Sequence, residues 1–141
     1  MNIDPKTGNI ELEKGKLIIR PDVNRDEFVA SSLGESARPI VQNNQYATYS
    51  VTFNIGTSLF CASLVFESQK LHSVQVKKIN PGTTWSNWSE AEELEHKSEH
   101  DRLLFSLLGT PPYKFVWGEI VSMYDPRSGS ANINIQYRKS R

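Results

Sequence analysis

The middle of the chain alternates between apolar and polar side chains with a period of two. From Ala47 to Ile55 the odd positions are Ala47, Tyr49, Val51, Phe53 and Ile55, and the even ones are Thr48, Ser50, Thr52 and Asn54. Successive side chains of a strand point to opposite faces, so this spacing predicts a half-buried strand. Gly56-Thr57 turns the chain. The next run puts Phe60, Ala62, Leu64 and Phe66 on one face and Cys61, Ser63 and Glu67 on the other. A turn at "ESQK" leads to "LHSVQVKKI", a third strand with Val74 and Val76 inward. Three strands on short links make an antiparallel meander.

Other elements flank this centre. "IEL" (Ile10 to Leu12) and "KLIIR" (Lys16 to Arg20) bracket Glu13-Lys14-Gly15, a hairpin turn containing glycine. "NRDEFVASSLG" reads as a short helix, with Asn24 as N-cap, Asp26 and Glu27 in the first turn and Gly34 past the end. "NPGTTW" breaks the strand pattern and a long helix follows. Ser89 with Glu92 matches a capping box, and Gly109 with Pro111-Pro112 marks the end. "YKFVWGEIVSMY" reads as one strand apolar on both faces, with Gly118 at a bulge or a close backbone approach. "DPRSG" is a turn. "ANINIQYR" closes the chain with Ala131, Ile133, Ile135 and Tyr137 on one face. Runs of strands with few helices imply an α+β fold. The expectation is a single domain over residues 1–141. It is a twisted antiparallel sheet of about six to seven strands, with the long helix packed on one face and one short helix besides.

Helix phase decides what the long helix buries. Its apolar positions are Trp88, Ala91, Leu94, Leu104, Phe105 and Leu108. Steps of three and four from Leu94 to Phe105 pass through Ser98 and then Asp101 or Arg102. On that phase His96 and His100 fall on a solvated flank and Asp101 turns toward the sheet. Asp101 is then a structural polar residue, at least half buried, that accepts a hydrogen bond from the sheet or a loop. Trp85 and Trp88 bracket the helix start and read as core or cap packing.

Composition narrows the function. The 141 residues carry 16 basic and 16 acidic side chains, a formal net charge of zero, which argues against a general nucleic-acid binder. One cysteine, Cys61, leaves no intramolecular disulfide and no cysteine-based zinc cluster. It lies mid-strand and reads as an inert structural thiol. The opening residues are polar, and the longest mostly apolar stretch, "LFCASLVF", is too short to span a bilayer. The plain reading is a cytoplasmic protein without a membrane segment.

The densest candidate chemistry is "EHKSEHD", Glu95 to Asp101. His96 and His100 are four apart and share one side of the helix, as in an HExxH zinc site, but Lys97 follows His96 where that mechanism needs glutamate. No third ligand is evident, so the reading is no metal site, no catalytic residue and no cofactor. From Glu90 to Arg102 six acids stand against two bases. They suit the helix dipole, and they also offer an acidic patch to a basic protein partner. Arg127 projects from a hairpin tip and is a further candidate contact.

The segments "TGNIEL", "RDEF", "TTWSNWSEAEEL", His100-Asp101 and "WGEIVSMYDPRSGSANINIQY" resemble a family of small bacterial proteins over nearly the whole chain. In that pattern His100-Asp101 belongs to the motif, and the His96 position is often a basic residue. Such proteins are similar to the immunity components of bacterial toxin systems, including contact-dependent growth inhibition. The resemblance implies a binding protein, not an enzyme, that neutralises a cognate toxin domain by direct contact. It has no small-molecule substrate and no nucleic-acid partner. Glu92, Glu93, Glu99 and Arg127 are the expected partner contacts. The alternatives are a small metal-dependent hydrolase using His96 and His100, and a scaffold protein with no inhibitory role.

Overall fold

A computed structural model describes residues 1–13 and 18–138. The fold is α+β. The strands are β1 (Asn2–Ile3), β2 (Ile10–Glu11), β3 (Ile18–Ile19), β4 (Arg38–Gln42), β5 (Tyr46–Ile55), β6 (Ser58–Glu67), β7 (Lys70–Lys78), β8 (Tyr113–Phe115), β9 (Gly118–Asp125) and β10 (Ser130–Tyr137). The helices are α1 (Arg25–Ala30), α2 (Ser32–Ser36) and α3 (Glu90–Leu108). β1, β2 and β3 form a small sheet. The other seven strands form an antiparallel sheet in the order β4-β5-β6-β7-β10-β9-β8.

The period-two pattern gives the core. Ala47, Tyr49, Val51 and Phe53 of β5 lie opposite Phe66, Leu64, Ala62 and Phe60 of β6, and all eight are buried. Val74 and Val76 continue this face into β7, and Ile135 and Ile133 into β10. A register shift between Val65 and Phe66 lets Leu71 share that face although it is out of step with Val74. Phe28 of α1 packs on Tyr49 and Phe66, with ring centroids 5.3 and 5.5 Å away. Thr52, Ser63, Gln75, Asn134 and Gln136 alternate onto the opposite, solvent-facing side of the sheet, and of these Thr52, Gln75 and Gln136 are exposed.

The structure corrects several expectations. Residues 25–36 hold two short helices, where one was expected over 24–34. Ser31 caps both, donating to the Phe28 carbonyl at the end of α1 and accepting from Gly34 N–H at the start of α2. Gly34 therefore lies inside α2, where a Cβ would come within 2.0 Å of the Phe28 carbonyl oxygen. "YKFVWGEIVSMY" is a hairpin, not one strand. Val116-Trp117 forms its two-residue turn, and β8 pairs with β9 from Tyr113↔Ile120 to Phe115↔Gly118. The exposed edge strand β4, "RPIVQ", shows no alternation and escaped the pattern. The pairing Ile10↔Ile19 confirms the first hairpin, while Lys14 and Gly15 of its turn lie outside the described residues.

The two ends of the chain meet at glycines. Trp117 lies over Gly8, donates its indole N–H to the Pro5 carbonyl (3.0 Å), and tilts against Tyr137, whose hydroxyl donates to the Gly8 carbonyl (3.1 Å). Gly118 backs onto β10 so closely that a Cβ would sit 2.0 Å from the Gln136 carbonyl oxygen. The atom in the way is backbone and cannot swing aside. Gly118→Ala is therefore expected to destabilise the protein by about 3 kcal/mol, the upper end for overpacking. A shift of the urea midpoint at constant slope measures it, and a change below about 1 kcal/mol contradicts the close packing of β9 on β10.

Candidate functional site

The long helix α3 crosses the core face of the sheet over β7, β10 and β9. Ser89 caps it, with its hydroxyl accepting from Glu92 N–H at 3.3 Å. Only half of the expected capping box forms, because the Glu92 carboxylate turns to Asn80 (2.6 Å) and Thr83 (3.3 Å) instead of back to Ser89. Gly109 ends the helix with a φ of 82°. Trp88 donates its indole N–H to the Gly129 carbonyl (2.9 Å), which joins the helix start to the β9–β10 turn. Trp85 packs on neither core nor cap and is 93% exposed.

The phase of α3 is rotated from the expected one, with Leu104 buried as expected and Leu94 and Phe105 not. The buried residues are His96, His100 and Leu104, with Leu103, Leu107 and Leu108 half buried. The stripe from Leu94 to Phe105 faces outward, and these two side chains are 43% and 60% exposed. The leucine pairs at 103–104 and 107–108 continue His96 and His100 at three- and four-residue steps, so the last two turns fix the phase. Asp101 is half buried, as expected, but its donor is corrected. Its side chain is 48% exposed, and its donor is Lys97 on its own helix (2.8 Å), not the sheet or a loop. Partial burial pushes this carboxyl up, but the Lys97 ammonium and the nearby Ser122 hydroxyl outweigh that and hold it below the ordinary carboxylate range. Ser122 Oγ is close to Asp101 without reaching hydrogen-bond geometry.

The inner flank carries the acids expected to meet a partner. Glu93 bonds His96 Nδ1 (2.9 Å), and Glu99 pairs with the Lys78 ammonium (2.6 Å). Lys78 holds the Glu99 carboxyl below its usual range against the opposing effect of burial. Together with Glu92 and Asn80 these residues line a seam between α3 and the end of β7. Arg127 stands apart at the β9–β10 turn, with a side chain 92% exposed and 3.5 Å from Asp125.

His100 is the most constrained polar group in the seam. It is fully buried, and its Nε2 accepts the Lys78 backbone N–H at 3.0 Å. That places the ring proton on Nδ1, which has no partner among the described residues. Burial, with His96 next, pushes its pKa from 6.5 down to about 4, and Lys78 adds to the effect while Glu99 and Asp101 oppose it. No group of three potential metal ligands occurs among the described residues. The Nε2 lone pair that a metal would take is already used, and His96 Nδ1 is engaged by Glu93.

The outer flank of α3 is the residue set that sequence reasoning saw and turned the wrong way. With Pro111, Pro112, Tyr113, Ile120, Val121 and Ser122 it walls an open, mainly apolar groove of about 830 Å³. Lys97, Asp101, Arg102, Lys114 and Glu119 set charges around it. Among the described residues no helix is long and apolar enough to cross a membrane. Comparison with family models, curated proteins and solved structures gave no match.

His100 sets an acid limit. Its pKa is lower folded than unfolded, so the unfolded chain binds the proton first. The stabilising contribution is complete above pH 6.5 and is lost as the pH falls toward 4, by about 3 kcal/mol in all. His100→Gln keeps an acceptor for Lys78 N–H and cannot titrate. Its urea midpoint is expected to vary far less than the wild type between pH 6.5 and 5, and equal slopes rule out His100 as the source.

Proposed function

We propose that this protein is a protein-binding inhibitor of the immunity type, which neutralises a cognate toxin domain by covering its working surface. The observation that carries this reading is the mainly apolar groove beside the outer flank of α3. The helix turns Leu94 and Phe105 to solvent while it buries two histidines. A core-optimised helix would do the opposite. Contiguous apolar surface with a polar rim is what protein–protein contacts use, with an aromatic anchor at the centre and charges around it. Phe105 in the groove between α3 and the β8–β9 hairpin fits that description. Arg127 is exposed beyond it beside Asp125 and would add a charged contact. The carboxylates of Glu92, Glu93 and Glu99 are tied to their own chain, so as contacts they would act through fixed positions.

The metal-dependent hydrolase reading draws no support from the seam, where both histidines are committed to internal hydrogen bonds.

Co-expression with the toxic domain encoded beside this chain tests the proposal. Growth is expected to be rescued by the wild type and lost with Phe105→Glu. Affinity is expected to fall about 30-fold, or about 2 kcal/mol, as at a hot-spot residue. Phe105 is largely exposed, so the melting temperature should hold. Absence of a neighbouring toxic domain, or a wild type that gives no rescue, removes the immunity reading.

A further inference from the structure

The seven-stranded sheet has two edges, and they are built differently. β4 is blunted by Pro39 and by a register shift between Pro39 and Val41, devices that discourage another strand from pairing. The other edge is only partly covered. β9 runs from Gly118 to Asp125 and pairs with β10 along its whole length. On its far side β8 pairs only with Gly118, Glu119 and Ile120. The chain before β8 is Pro111-Pro112, which has no N–H to extend the ladder. Val121 to Asp125 are thus left with an open side.

Backbone alternation says which groups face outward there. The two-residue Val116-Trp117 turn makes Phe115 and Gly118 a pair that exchanges both backbone bonds. The even residues of β9 therefore direct N–H and C=O away from β10. The Trp117 carbonyl, which accepts from Arg138 N–H at 2.8 Å, fixes the odd phase toward β10. Ser122 and Tyr124 consequently present N–H and C=O at the open edge. No backbone bond outside the sheet engages them among the described residues.

This edge coincides with the groove. Ile120, Val121 and Ser122 line it beside Pro111, Pro112 and Tyr113, and the α3 flank of Lys97, Asp101, Arg102 and Phe105 overhangs it. Val121 and Met123 are exposed, with no charge or proline between Val121 and Tyr124 to discourage pairing.

Resting on the reading of the chain as a protein-binding module, we infer that its partner docks by strand addition. An extended segment of another protein pairs antiparallel with β9 over Val121–Asp125 and lays alternate apolar side chains against Phe105 and Tyr113. The rim charges name a further feature of that segment. Lys97 is paired with Asp101, and Lys114 faces Glu119 across the β8–β9 ladder. Arg102 has no ion pair among the described residues, so the incoming strand carries a carboxylate for it. A second copy of this chain is a poorer occupant, because its own β9 edge would bring another Arg102 to the same rim. Strand addition of this kind draws affinity from backbone bonds and selectivity from alternate side-chain pockets.

The test uses the intact chain and a displayed library of random linear peptides. Selected peptides are expected to alternate apolar residues and to carry an acidic one. On binding, the Ser122 and Tyr124 amides should exchange at least tenfold more slowly, while those of Val121 and Met123, already bonded to β10, should change little. Ser122→Pro should lose most of the peptide affinity, and the exchange measurement on the wild type decides the matter if that variant folds poorly. No selected binders, or binders that leave Ser122 and Tyr124 unprotected, overturn strand addition. So does a self-associating chain that protects these amides without peptide. Toxin rescue with both amides unprotected in the complex leaves the immunity reading standing and removes this one. Protection by peptide without toxin rescue does the reverse.

Discussion

The imidazole of His100 lies wholly buried between α3 and the sheet, and its Nε2 holds the backbone N–H of Lys78 near the end of β7. That bond fixes the rotation of the helix. With His100 inward, Leu104 follows it into the core and Glu99 meets the Lys78 ammonium at the rim. The same rotation carries Leu94 to the outside together with Lys97, Asp101 and Phe105, and the last three wall the groove. A neutral histidine suits this place because one nitrogen accepts while burial keeps the ring uncharged. The unpartnered Nδ1 is a cost of the arrangement, on the order of 1–3 kcal/mol for an unmet buried donor.

Segments near the two ends of the chain become contacts between its distant parts. Gly8 lies under Trp117, and its carbonyl takes the Tyr137 hydroxyl, so the opening segment is anchored to the closing one. Trp88 and Gly129 pair in the same way, with the indole N–H on the Gly129 carbonyl. At Gly8 and Gly129 a positive φ and a ring pressed on the Cα both call for glycine. These residues are accounted for by packing. The groove draws on other positions, chiefly Phe105, Arg102 and the open edge of β9.

Much of the sheet was legible from residue patterns alone. The alternation of β5, β6 and β10 gave the buried face of each, because a period of two leaves only one way to segregate apolar side chains. The cap at Asn24 and the end at Gly109 followed from local hydrogen-bonding and backbone preferences, and the structure bears both out. The break between α1 and α2 was not legible. Gly34 signals a helix end as readily as the close approach to Phe28 that it makes. The hairpin within residues 113–125 was hidden because both strands are apolar and their turn, Val116-Trp117, lacks the usual turn residues.

The sequence by itself determined the class of fold, the inward face of the central strands and the ends of the long helix. All of these rest on interactions within a few residues of one another. Only the tertiary structure decided which flank of α3 meets the sheet. Two stripes were available, one through Leu94 and Phe105 and one through His96, His100 and Leu104, and the residues of the first three turns do not separate them. The choice was made by an acceptor for Lys78 N–H, twenty-two residues away in the chain, and by the half-buried leucines of the last two turns. That long-range bond turned a cluster that resembled a metal site into the buried anchor of the helix, and it left Leu94 and Phe105 at the surface.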